Sequence, residues 1–179
     1  MSDMSSILPA ALPDNTGLPE QTGFDTSPAT WLEAAFRHVA DRQMSGLPFY
    51  RAAIPVKACG FTLFENQWIG CLLTPWTLSL LILPGPDQVW LSRAPGDRLA
   101  LQLPCGNVTF LQGEIGNQQG ERRQYLSCSL MSPVDKALTP EQGIALAEQS
   151  VRMALSLPVA DADAPRDPSR RALFHRRGK

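Results

Sequence analysis

Histidine is nearly missing from this chain: only His38 and His175 occur, one within a helical pattern and the other in a basic tail. General acid–base and nucleophilic catalysis draw on histidine more than on any other side chain, so a Ser/His/Asp or Cys/His site is hard to assemble. The four cysteines, Cys59, Cys71, Cys105 and Cys128, form no CxxC pair, and a zinc or rubredoxin-like iron site needs that close spacing. Phosphate-binding glycine motifs, an HExxH helix and an EF-hand loop are also missing. Glu65, Asp87, Glu114, Asp135 and Glu141 stand apart, in turns, strand ends or a helix's first turn, and read as solvated or capping acids. No catalytic residue, metal or cofactor is expected.

Charge is scarce as well. Charged residues make up 18% of the chain and the net charge is -1, against about a quarter charged in an ordinary domain. Nucleic acid demands concentrated Lys and Arg, and Arg122-Arg123 beside Tyr125 is too small a platform for it. Residues 77–83 are strongly apolar but far too few to cross a bilayer, which takes about 20, so no stable membrane insertion is expected. The N-terminus lacks both the basic and the apolar parts of a secretory signal. A cytoplasmic, reducing location follows, with the thiols read as free core or near-core residues; a redox role for Cys71, Cys105 or Cys128 is the alternative.

What is present is an apolar fraction of 44% over 179 residues, enough for one domain with tails. Residues 1–22 carry acids without any Lys or Arg and are expected to be a disordered leader. Residues 23–159 form the single expected domain. Ser27-Pro28 starts a helix running to about Met44, with Leu32, Ala35, Phe36, Val39 and Ala40 on one stripe. The period then changes to two. Strands are expected around 59–65 and 68–74, joined by Asn66-Gln67, then 78–83, 99–103, 108 to Gly113 or Gly116, and 125–130. Thr139-Pro140-Glu141-Gln142 reads as a capping box opening a second helix that ends near Leu157-Pro158. The fold class is therefore α+β: a mainly antiparallel sheet of five or six strands packed by an N-terminal and a C-terminal helix. Residues 160–179 are a linker and a basic segment in which Leu173 and Phe174 are too apolar for a merely solvating tail.

Binding chemistry is better supplied than reaction chemistry. Trp68, Trp76 and Trp90 sit around strand ends and turns, where an indole offers large contact area and one N–H to orient a partner; each can equally be a core or sheet-edge cap. Pro75, Pro84 and Pro86 stiffen the turns beside two of them. The expected partner-binding residues are Trp76, Trp90, the turn Pro84-Gly85-Pro86-Asp87-Gln88, and Glu65. Arg170, Arg171, Leu173 and Phe174 complete the set, docking either on the chain's own sheet or on a partner.

The strings FTLFENQWIG (61–70), TPWTLSLLILPGPDQVW (74–90), LQLPCGNVTF (101–110), YLSCSLMSP (125–133), LSLPV (155–159) and RRALF (170–174) together resemble the HybE/HupJ family of [NiFe]-hydrogenase assembly proteins. The resemblance covers roughly residues 22–177; the leader and the polar stretch Asn117–Gln124 depart from it. It implies a cytoplasmic chaperone that holds a hydrogenase precursor until maturation and subunit pairing are complete. The implied partner is the small-subunit precursor with its twin-arginine signal peptide and, in some relatives, the large-subunit precursor and other maturation proteins. A thiol-based redox or oxygen-protection factor for hydrogenase assembly is the competing reading. Some relatives carry a fused rubredoxin-like domain, whose CxxC pairs this chain lacks.

Overall fold

In chain order, residues 21–157, which the computed structural model describes, form β1 (Gln21–Thr22), α1 (Ala29–Val39), β2 (Lys57–Phe64), β3 (Gln67–Leu73) and β4 (Leu78–Pro84). There follow β5 (Val89–Trp90), β6 (Arg98–Leu103), β7 (Gly106–Gly116), β8 (Arg122–Met131) and α2 (Pro140–Ala154). Six strands make one antiparallel sheet in the order β2-β3-β4-β8-β7-β6, and β1 pairs with β5 in a separate two-stranded ribbon. The α+β architecture with a helix from each end of the domain is as the sequence predicts.

The apolar run in β4 explains the layering. Alternate side chains of a strand point to opposite faces, so a continuous apolar strand needs cover on both. Leu78, Leu80 and Ile82 pack into the core beneath α2, together with Ile69, Cys71 and Leu73 of β3. Leu81 and Leu83 pack into the other core with Leu32 and Ala40 from the α1 segment. The sheet is thus the middle of three layers.

Several boundaries differ from expectation for local reasons. β1 lies at the end of the stretch assigned to the leader. It is held there by Gln21, whose side chain bonds to the backbone N–H and C=O of Gln124 in β8. The first helix is α-helical only to Val39 and then widens into a π turn, Ala40–Met44, closed by Ser45 N–H to Ala40 C=O at 2.9 Å. Pro28, not Ser27, flanks its start. The β2–β3 turn is Glu65-Asn66, one residue earlier than expected. Both residues have positive φ, 48° and 62°, as the tight hairpin geometry requires. The cap of α2 holds as read: Thr139 accepts from Gln142 N–H at 3.2 Å and the Gln142 side chain returns to Thr139 N–H at 3.0 Å.

Three chain segments cross closely where the β4–β5 turn begins. A Cβ on Gly85 would collide with the Asn66 carbonyl, and one on Gly23 with the Gly85 carbonyl. The Gly23 and Phe24 N–H groups bond to Gln88 and Pro84 carbonyls at 2.8 and 3.0 Å. Substituting Gly85→Ala should therefore destabilise the protein by about 2 kcal/mol or more, because backbone must shift to admit the methyl. Thr139→Ala should cost only about 1 kcal/mol, the usual value of a helix cap. Urea denaturation of the two variants checks both the sizes and the order.

Candidate partner-binding site

The helix α2 lies over β2, β3 and β4. On the same face of the sheet, β8, β7 and β6 continue with no helix of the described residues lying over them. Register fixes which side chains emerge there: Leu99 faces Phe110 and Leu101 faces Val108 across β6–β7, while Gln112 faces Leu126 across β7–β8. Phe110 is fully buried, but Leu99, Leu101 and Val108 are only partly so.

Over these residues the segment 89–93 forms a wall. Trp90, Val89 and Leu91 stand above Ile82, Leu99 and Leu126 and enclose a hollow of about 360 Å³. Val89 is 54% and Leu91 52% exposed, a high value for apolar side chains beside one another. The Trp90 ring is held by a polar chain. Its indole N–H donates to Gln67 Oε1 at 3.0 Å, and Gln67 Nε2 donates to Gln88 Oε1 at 3.0 Å. At the other side of the hollow, Gln112 Nε2 donates to Gln124 Oε1 at 3.0 Å, which also accepts from Arg93 N–H at 3.2 Å. The wall is anchored at both ends, and the β1 strand pairs Gln21 with Trp90 from outside.

Charge around the hollow is asymmetric. Among its lining residues only Arg93 is charged, on the β8 side. On the β3 side the turn carrying Glu65 packs against the turn carrying Asp87, where Gly85 touches Asn66. Both acids are exposed, and neither is among the ion pairs of the described residues. Arg122 and Arg123 are neutralised by Glu114 and Glu121.

The structure thus brings together Trp90, Pro84, Gly85, Pro86, Asp87, Gln88 and Glu65. It does not bring Trp76 to them. Trp76 lies in the β3–β4 turn, at the far end of β4, and packs with the α1-side core, stacked on Tyr50 at 6.4 Å between ring centroids. Trp68 is likewise on the α1 side, its N–H donated to the Phe24 carbonyl at 2.9 Å. Arg170, Arg171, Leu173 and Phe174 lie outside the described residues. Sequence reading missed the walls Leu91, Leu99 and Leu101; the half-apolar alternation of β6 was visible, but nothing local marks which half-buried strand loses its cover.

The thiols are more varied than expected. Cys59 and Cys71 are buried cross-strand neighbours, Cys128 is partly buried, and Cys105, in the β6–β7 turn, is exposed. Burial, helped by the negative charge of Glu148, pushes the Cys59 thiol up to about 11, and burial pushes Cys71 to about 12. Burial also raises Cys128. A reactive thiol needs its thiolate at neutral pH, so these three are poor nucleophiles. Among the described residues no three His, Cys, Asp or Glu side chains converge as a metal site would require, and no helix is long and apolar enough to cross a membrane.

An apolar hollow beside two turns with exposed acids, on an α+β scaffold, is the candidate site that the described residues offer. The family model described as "[NiFe]-hydrogenase assembly, chaperone, HybE" matches residues 27–176. The hydrogenase-2 operon protein HybE of Escherichia coli K12 is 47% identical over 158 residues, 88% of this chain and 95% of that protein. The hydrogenase expression/formation protein HoxT of Azotobacter vinelandii is 34% identical over 149 residues, 81% of this chain and 92% of that one. The solution structure of HybE from Escherichia coli superposes with a TM-score of 0.63 at 46% identity, covering 89% of this chain and 96% of that chain. The chain belongs to the HybE family of [NiFe]-hydrogenase assembly chaperones.

Thiol labelling separates the structural cysteines from the exposed one. At pH 8, Cys105 should label in the native protein, whereas Cys59 and Cys71 should label only after denaturation. Native labelling of Cys71 at the rate of Cys105 would contradict the burial described here.

Proposed function

We propose that this chaperone holds the precursor of a [NiFe]-hydrogenase small subunit by its twin-arginine signal peptide, in the cytoplasm, before export, and releases it unaltered. What supports this reading is the Trp90 hollow together with the exposed acids Glu65 and Asp87, each two residues along the chain from a lining residue, Gln67 and Val89. A twin-arginine signal has basic residues followed by a moderately apolar segment. That segment suits the hollow under Trp90, Leu91 and Leu99, while Glu65 and Asp87 meet the arginines in charge-assisted pairs. Arg93 on the opposite rim disfavours the reversed orientation, since like charges would then be brought together.

Preorganisation favours the site. Gln67 and Gln88 already fix the indole, so binding loses little side-chain freedom there. The binding mode is a nonpolar groove filled by an apolar segment, one of the recurring ways of capturing a peptide. Trp76, at the far end of β4, forms no part of it. The raised pKa values of Cys59, Cys71 and Cys128 disfavour a thiol-based protective role for those three cysteines.

Titration with the small-subunit precursor, with and without its signal, tests this. Removing the signal should abolish most affinity. Trp90→Ala should weaken binding by about thirtyfold, the effect of losing a central aromatic anchor. Glu65→Gln with Asp87→Asn should weaken it about tenfold at low salt and less at high salt. Trp76→Ala should leave it nearly unchanged. Equal affinity with and without the signal would overturn the proposal.

A further inference from the structure

Beside the Trp90 hollow lies a second one on the same face, of about 520 Å³, between α2 and the strands β4, β8 and β7. The two meet at the cross-strand pair Leu101–Val108, whose members line one hollow each. The second is lined by Leu80, Val108, Leu130, Met131, Leu146 and Met153, with Cys105 at its edge and no charged side chain among its lining residues. Met153 is 62% and Leu130 45% exposed. An apolar patch of this kind on a folded domain calls for an occupant.

The place where the described chain ends identifies one. α2 stops at Ala154, whose carbonyl accepts from Cys105 N–H at 3.2 Å, so the helix end is fastened to the rim of this hollow. Leu157, three residues on, is 77% exposed. Beyond Pro158-Val159 the sequence continues through a stretch of Asp, Ala, Pro, Ser and Arg, residues 160–171, before the apolar group Ala172-Leu173-Phe174. The sixteen-residue step from Leu157 to Leu173 can extend to about 50 Å, more than the roughly 22 Å needed to return along the 15 residues of α2. The family match also runs on to residue 176, past the polar stretch, so this apolar group belongs to the matched body of the family.

We propose that Leu173 and Phe174 fill the hollow between α2 and β4–β8–β7 of their own chain, completing the cover that α2 leaves unfinished. Tethering gives this segment a high effective concentration over any free peptide, so it occupies the hollow without a partner. The flanking Arg170, Arg171, Arg176 and Arg177 stay in water, outside the apolar lining. This assignment is independent of the signal-binding site, which uses the Trp90 half of the face.

Cys105 reports on it directly, because its thiol stands at the rim of the second hollow. The experiment compares the native-state alkylation rate of Cys105 in the full chain, in a chain ended after residue 159, and in full-length Leu173→Ser/Phe174→Ser. A urea titration shows that each is folded at the labelling condition. The proposal predicts that truncation and the double substitution both raise the rate about fivefold or more, the protection that a locally docked segment confers. The double substitution decides the matter if truncation lowers stability. Equal rates in all three proteins would overturn it, leaving the hollow open for a partner. Protection that survives truncation and grows with protein concentration would also overturn it, in favour of a second copy of the chain.

Discussion

The rest of the structure depends on burying β4 from both sides. Leu78, Leu80 and Ile82 point one way and Leu81 and Leu83 the other, so each face of the sheet needs a helix. A helix with its side chains is about 10 Å across and strands are about 4.8 Å apart. One helix therefore covers about two or three strands, and six strands exceed what α2 can reach. It sits over β2, β3 and β4, where the apolar load is greatest. The face of β8, β7 and β6 is the remainder, and its Leu99, Leu101 and Val108 stay only half-buried because of that geometric shortfall.

A scaffold of glutamines shapes this leftover surface. Gln67 and Gln88 hold the Trp90 indole, and Gln21, Gln112 and Gln124 fix β1 and the far wall. Buried polar groups of this kind are stable only when satisfied, and among the described residues no buried side-chain polar atom lacks a partner. The polar side chains beside the hollow are therefore held by one another. A family of assembly chaperones fits such a scaffold: it offers apolar area and orientation, and its buried thiols are held protonated.

The elements governed by local rules were legible in the sequence. The capping box at Thr139, the period-two strands and the two-sided apolar run of β4 each announce themselves within a few residues. The turn at Glu65-Asn66 was misplaced by one position because Glu gives no warning that it accepts a positive φ. β1 and β5 were invisible, being two residues long and held by Gln21 and Gln88, side chains that carry no strand signal. Trp90 and the Pro84–Gln88 turn were identified as turn-mounted binding groups, and the fold brings them together with Glu65. Separating Trp76 from Trp90 needed the topology: they lie at opposite ends of β4 and against opposite cores. Leu91, Leu99 and Leu101 could be recognised as exposed walls only once the lateral position of α2 was known.

The central claim is that the uncovered face near Trp90 is where the chaperone engages its client. Amide hydrogen exchange, run on the protein alone and on its complex with a signal-bearing hydrogenase precursor, tests this most directly. The account predicts slowed exchange in β5 and β6, with the α1 face and the loop from Leu47 to Tyr50 unchanged. Slowing confined to the Trp76 end or to α1, with β5 and β6 unaffected, would contradict it.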